Sequence, residues 1–182
     1  MTPVVFYKSI SGFTEKYARW IGEALDCSVY NLNAMKNVDL RDFDVIIYGG
    51  SLHASGLNGL KSFLQYYEKI AEKKLFLFAV GASPCRKNIP EIVREHNLEN
   101  TLLAKVPLFY FRGGYNFSKL DIPNKILMYF FTMHLKRKKN RTEDDEGMIQ
   151  GYDKPFDFTD KESIQPLLEA FRKEPENVQE IR

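Results

Sequence analysis

Three hydroxyl side chains fall within six positions near the start of the chain, in Lys8-Ser9-Ile10-Ser11-Gly12-Phe13-Thr14. Ser9, Ser11 and Thr14 supply the hydroxyls, and Gly12 lets the backbone curl. The amides from Ile10 to Phe13 are free to donate if a helix starts there. Hydroxyls and free amides at a helix N-terminus form a site for a phosphate dianion, helped by the helix dipole. A terminal phosphomonoester, with three oxygens, suits such a set. The loop lacks G-x-x-x-x-G-K-[ST] and G-x-G-x-x-G, which speaks against a P-loop NTPase and against a pyrophosphate fingerprint. Helix capping explains one of the three hydroxyls and hardly all of them.

Two further loops are built from small residues: Gly50-Ser51-Leu52-His53-Ala54-Ser55-Gly56 and Gly81-Ala82-Ser83-Pro84-Cys85. Small side chains let a flat ring approach the backbone closely. A phosphate site flanked by such loops fits a planar ring on a phosphorylated tail. His53 could stack on that ring, hydrogen-bond to it, or stay solvated. Cys85 could touch it through sulfur. No side chain stands out as a general acid or base, and no catalytic residue is nominated.

These loops need strands and helices to hold them. Pro3–Tyr7, Cys27–Leu32, Asp44–Gly50, Lys74–Val80 and Val106–Phe111 read as strands, being short, apolar and rich in β-formers. Between them, Thr14–Leu25, a stretch from Leu60 to Ile70 and residues 88–103 carry helical spacing, the last with Ile89, Ile92, Val93 and His96 on one side. Thr159-Asp160-Lys161-Glu162 has the pattern of a capping box and opens a final helix, with Pro166 early in it. Strands alternating with helices imply a parallel sheet covered on both faces. Ligands of such sheets bind beyond the carboxyl ends of the strands, where the three loops lie.

Composition narrows the classes. The 182 residues suit one domain, 1–182, and 44% hydrophobic residues argue against a disordered chain. Two cysteines and three scattered histidines leave little for a disulfide framework or a metal centre, so no metal site is expected. No apolar run reaches the roughly 18–20 residues that span a bilayer, and the N-terminus does not read as a signal peptide. The expected compartment is the cytoplasm, with Cys27 and Cys85 reduced. Charge is uneven. Residues 105–141 hold nine basic side chains and one acid, a net +8, while the rest carries seventeen basic and twenty-three acidic groups, a net −6. Such asymmetry points to a polyanionic partner or an anionic surface, or to a solvated loop balanced by Glu143-Asp144-Asp145-Glu146. Nucleic acid is not the expected partner, since no nucleic-acid motif is present and the body is acidic.

Together these residues resemble the flavodoxin family, whose T/S-x-T/S-G-x-T loop after the first strand binds the phosphate of FMN. The motif stands here as Ser9-Ile10-Ser11-Gly12-Phe13-Thr14. The resemblance covers Pro3 to about Phe111 and again about Met148 to Phe171. It implies an α/β fold with a doubly wound five-stranded parallel sheet of order 2-1-3-4-5, and FMN as cofactor. It also implies that Ser51, Leu52, His53, Ala54, Ser55, Gly56, Ala82, Ser83, Pro84 and Cys85 hold the ring. Flavodoxins commonly place Trp or Tyr on the flavin faces, and neither loop has one.

A segment of about 112–147 is inserted at the fifth strand. In position and in its aromatic, basic character it resembles the insertion of the menaquinone-dependent protoporphyrinogen dehydrogenases, a flavodoxin-like subgroup. That likeness implies oxidation of a porphyrinogen-like substrate with electrons passed to a quinone. The alternatives are a flavodoxin-type carrier between redox proteins and an interaction module without FMN. Within the insertion, Ile126–Phe131 is apolar in every direction around a helix, so it must bury against the body, a second subunit, a ligand or a lipid surface. A helix of about 18 residues is roughly 27 Å long, but the apolar part is too short to cross a bilayer, so 115–141 would lie on the inner face of a membrane if it meets one. The cationic end from Lys136 to Arg141 suits anionic headgroups or the carboxylates of a porphyrin-like substrate.

Overall fold

The computed structural model describes residues 1–53, 56–85, 88–120, 122–142, 145–147, 149, 151 and 154–173. Its elements run β1 (Pro3–Lys8), α1 (Phe13–Leu25), β2 (Ser28–Asn31), β3 (Val45–His53), β4 (Gly56–Leu57), α2 (Leu60–Leu64), α3 (Tyr67–Ile70), β5 (Lys74–Gly81), α4 (Ile89–Asn97), β6 (Leu108–Arg112), β7 (Gly114–Tyr115), α5 (Ile122–Arg137), β8 (Phe156–Asp157) and α6 (Gln165–Arg172).

The five long strands pair in parallel in the order β2-β1-β3-β5-β6, the expected doubly wound α/β arrangement. Strands β1, β3 and β5 are apolar on both faces because each face is covered. Val4, Phe6, Ile46, Tyr48, Leu75 and Leu77 point to one side, where Leu60, Phe63, Ile70 and Val93 pack on them. Val5, Ile47, Phe76, Phe78 and Val80 point to the other, against Tyr17, Ala18 and Ile21 of α1 and Leu167 and Leu168 of α6. Each fully buried side chain of this size contributes about 1.5–3 kcal/mol, which makes strand register costly to change.

Several local expectations are corrected. The stretch from Leu60 to Ile70 is two short helices. Tyr66 N–H bonds to Phe63 O and Lys69 N–H to Tyr66 O, and these three-residue closures interrupt the ladder between them. The helix expected over 88–103 stops at Asn97. There the Asn97 side chain donates to Val93 O and accepts from Leu57 N–H, and the Arg94 guanidinium donates to the carbonyls of Ala104 and Val106, holding 98–106 in turns. His96 is exposed rather than on a buried side. The last helical segment is capped by Asp160, which accepts from Glu162 N–H at 3.1 Å. Thr159 instead donates its hydroxyl to Asp157 at 2.6 Å.

The insertion leaves and re-enters through a narrow stem. Gly114 and Tyr115 of β7 pair antiparallel with Asp157 and Phe156 of β8, and Phe158 N–H donates to Gly113 O at 3.0 Å. Gly114 is required by a close approach: a Cβ there would meet the Phe13 ring at 2.7 Å and also strike the Phe156 carbonyl.

Candidate functional site

Strand β1 ends at Lys8 and the chain turns at once into α1. Gly12, the residue before the helix, sits at φ 92°, a conformation that strains any residue with a Cβ. The Ser9 hydroxyl accepts the Gly12 N–H at 3.0 Å and holds the curl. No side chain caps α1, so its first amides retain their donor capacity. Thr14, in the first turn, is wholly buried, and its hydroxyl has no hydrogen-bond partner. A buried, unsatisfied hydroxyl costs about 1–3 kcal/mol unless something completes it.

The second loop is a hairpin. Leu52 pairs with Leu57 and His53 with Gly56 across β3 and β4. The hairpin is tied down by Asn58, which donates from its backbone to Ser51 O at 2.9 Å and from its side chain to Ser51 Oγ at 3.3 Å. Its carbonyl accepts the Tyr48 hydroxyl, and burial pushes that phenol well above its ordinary 10.0, so it stays a donor. The third loop is fixed by Tyr110 of β6, whose hydroxyl donates to Ser83 O at 2.7 Å.

These loops surround one cavity of about 530 Å³, within the range of ligand sites. It opens beyond the carboxyl ends of β1, β3, β5 and β6. Of the residues nominated from sequence, Ile10, Ser11, Phe13, Thr14, Ser51, Leu52, His53, Ala82 and Ser83 line it. Ser9, Gly12, Gly56, Pro84 and Cys85 do not form its wall; Cys85 is exposed. Ala54 and Ser55 lie outside the described residues.

Other elements complete the wall in ways the loops do not announce. Ile89 and Ile92 come from α4, Tyr110 and Tyr115 from β6 and β7, and Leu127, Met128 and Phe131 from α5. Aromatic rings absent from the two ring-side loops therefore reach the cavity from β6, β7 and α5. The one sequence signal for α5 was its all-round apolar surface, which demanded a cover without saying which part of the body it would meet. Among the described lining residues no Asp, Glu, Lys or Arg is present. An anion here would be held by hydroxyls, amides and the end of α1 rather than by a cation. No group of three metal-ligating side chains occurs among the described residues.

The family model for the flavodoxin domain matches residues 4–143. The chain belongs to the flavodoxin-domain family. That match runs from β1 through the phosphate-type loop and on past α5. An uncharacterized protein of Methanocaldococcus jannaschii is 28% identical over 92 residues, 49% of this chain and 60% of that relative, so the match spans less than two thirds of the relative's length. Among solved structures, flavodoxin 2 from Bacillus cereus is 23% identical, with a TM-score of 0.42 over 60% of this chain and 84% of the other. A flavoprotein in complex with FMN from Lactobacillus acidophilus is 14% identical, with a TM-score of 0.43 over 61% and 91%. The match places this flavodoxin-domain protein in its family and says nothing finer about its substrate.

Proposed function

We propose that this protein binds FMN and works as an oxidoreductase on a flat, largely apolar redox molecule of quinone or tetrapyrrole type. The observation that carries the reading is the buried, partnerless Thr14 hydroxyl beside the uncapped start of α1, opening into an apolar cavity that α5 roofs. The residues fit the cofactor. Ser11, Thr14 and the first amides of α1 would bind its phosphate, with the helix dipole in place of a cation. Ser51, Leu52 and His53 on one side, with Ala82 and Ser83 on the other, would flank its ring. Tyr110 would keep the Ser83 loop from moving. When bound, FMN supplies reversible acceptance of electrons, while the chain supplies binding, orientation and exclusion of water.

The roof favours an enzyme over a carrier. Leu127, Met128 and Phe131 add apolar surface to the cavity wall, which suits a small second molecule beside the ring. The test uses the full chain incubated with FMN, then assayed for turnover of a soluble quinone and of a reduced tetrapyrrole without any partner protein. Turnover supports the reading. Reversible reduction by a reductase without turnover identifies a carrier instead. A sample that stays colourless after FMN defeats both.

A further inference from the structure

The cavity uses one edge of α5 and leaves its outward face bare. Ile122, Ile126 and Phe130, spaced four apart, are 73%, 54% and 65% exposed, and Tyr129 beside them is also exposed. Thr132 and Leu135, on the opposite side, are buried. Large apolar side chains in one continuous stripe are unlike the isolated exposed residues of an ordinary surface. The stripe runs on to Arg137, about two turns further along the same face. Lys138 is occupied by Asp145 at 2.6 Å, and Arg141 by Glu146 at 3.2 Å and by the Leu135 and Lys136 carbonyls. Arg137 and Lys139 are exposed and pair with no acid among the described residues.

We infer that α5 is an interfacial helix that seats the protein on an anionic membrane surface, Ile122, Ile126 and Phe130 entering the lipid and Arg137 and Lys139 meeting its headgroups. Charge complementarity selects this occupant. The end of α5 carries Arg137 and Lys139 exposed and without an acidic partner among the described residues, while the chain outside 105–141 is net acidic at −6, so an anionic surface draws in the end of α5 rather than the rest of the chain. A second copy is a poor fit, because mating two such faces would bring the unpaired Arg137 and Lys139 of both copies together. The helix lies on the surface rather than crossing it: no described helix is long and apolar enough to span a bilayer. Leu127 and Phe131 line the cavity and are also half exposed, so docking would set the edge of the cavity at the lipid. The docking itself does not depend on FMN.

The experiment is co-sedimentation of the full chain, incubated with FMN, with phosphatidylcholine vesicles made with and without phosphatidylglycerol. Binding is expected to the anionic vesicles and to fall with salt. Ile126→Ser with Phe130→Ser should lower partition by about tenfold or more through lost apolar burial, and Arg137→Glu with Lys139→Glu by about tenfold or more through charge. None of the four lines the cavity, so FMN uptake should be unchanged, and it serves as the folding control. Failure to bind either vesicle overturns the proposal, as does binding that neither pair of substitutions weakens. A dimer that Ile126→Ser with Phe130→Ser dissociates, without vesicle binding, overturns it in favour of a second copy. Vesicle binding by a chain that takes up no FMN would leave this inference standing and remove the proposed function.

Discussion

The Tyr17 hydroxyl donates to the Arg112 carbonyl at 2.7 Å and thereby joins α1 to the strand end from which the insertion departs. The same oxygen accepts the Asp160 N–H at 3.1 Å, just ahead of the closing helix. One side chain thus satisfies backbone groups on both sides of the insertion. Tyr17→Phe keeps the ring, which stacks on Phe111 at 4.9 Å, and removes only the oxygen. It should cost about 1–3 kcal/mol by leaving both groups unsatisfied. Urea unfolding would read this as a lower midpoint at unchanged slope. An unaltered midpoint would mean that water replaces the hydroxyl.

Thr14→Val should move stability and binding in opposite directions. The hydroxyl is buried and unpartnered, so replacing it by a methyl of similar shape leaves the ligand-free protein as stable or more so. FMN affinity should fall by about tenfold or more, since bonds to a charged phosphate are worth about 1.5–3 kcal/mol. Riboflavin, which has no phosphate, should be little affected. Equal losses for both ligands would show that Thr14 does not read the phosphate.

Gly12→Ala should destabilise through the backbone alone. Nothing lies within 4 Å of the added Cβ, but φ stays at 92°. The expected cost is about 1–2 kcal/mol, and Gly12→Asn should cost less because Asn tolerates the left-handed region. Thermal midpoints of the two variants separate the explanations, since a contact effect would penalise the larger Asn more.

Acid should loosen the end of α5. Asp145 accepts from Lys138 Nζ and from Thr142 N–H at 2.7 Å. These bonds hold its carboxyl down to about 2 from the ordinary 3.8, the Lys138 bond being the larger cause. A depressed carboxyl contributes stability above its unfolded value. The contribution is therefore full above 3.8, declines below it, and is gone once the pH has fallen through about 2. Hydrogen exchange followed from pH 5 downward should show amides near residue 138 opening before those of β3. Simultaneous opening would remove Asp145 as the cause.

The two thiols should differ sharply in reactivity. Burial, and secondarily Asp26, pushes Cys27 up to about 11, so it stays a thiol near neutrality. Cys85 is exposed. An alkylating reagent in native buffer should modify exposed Cys85 faster than half-buried Cys27, as mass spectrometry would show. Comparable native rates would show that the raised Cys27 thiol does not govern its reactivity.

The sheet was legible because the middles of β1, β3 and β5 are apolar on both faces, and only a strand covered on both faces has reason to be. The loop from Ser9 to Thr14 was legible because three hydroxyls exceed what capping requires. Less visible were the ends of elements decided by side chains far away in sequence. Asn97 stops α4 by serving Leu57, forty positions earlier, and Asp160 takes the cap that local pattern assigned to Thr159. The rest of the cavity wall was hidden for the same reason. Tyr110 looked like one more strand residue until the pairing of β5 with β6 put its hydroxyl on Ser83, and no local pattern says which edge of α5 turns inward.

The two strands β7 and β8 have a consequence for how this scaffold could change over generations. Departure and return of the excursion are cinched together at Gly114–Asp157 and Tyr115–Phe156, so its two ends meet at one place whatever length of chain runs between them. Because the entropic cost of a longer tether rises only slowly with its length, a change in the length of that excursion costs the sheet little, while a change in α5 itself alters the cavity wall through Leu127, Met128 and Phe131. New substrate preferences can then be tried on an unchanged chassis.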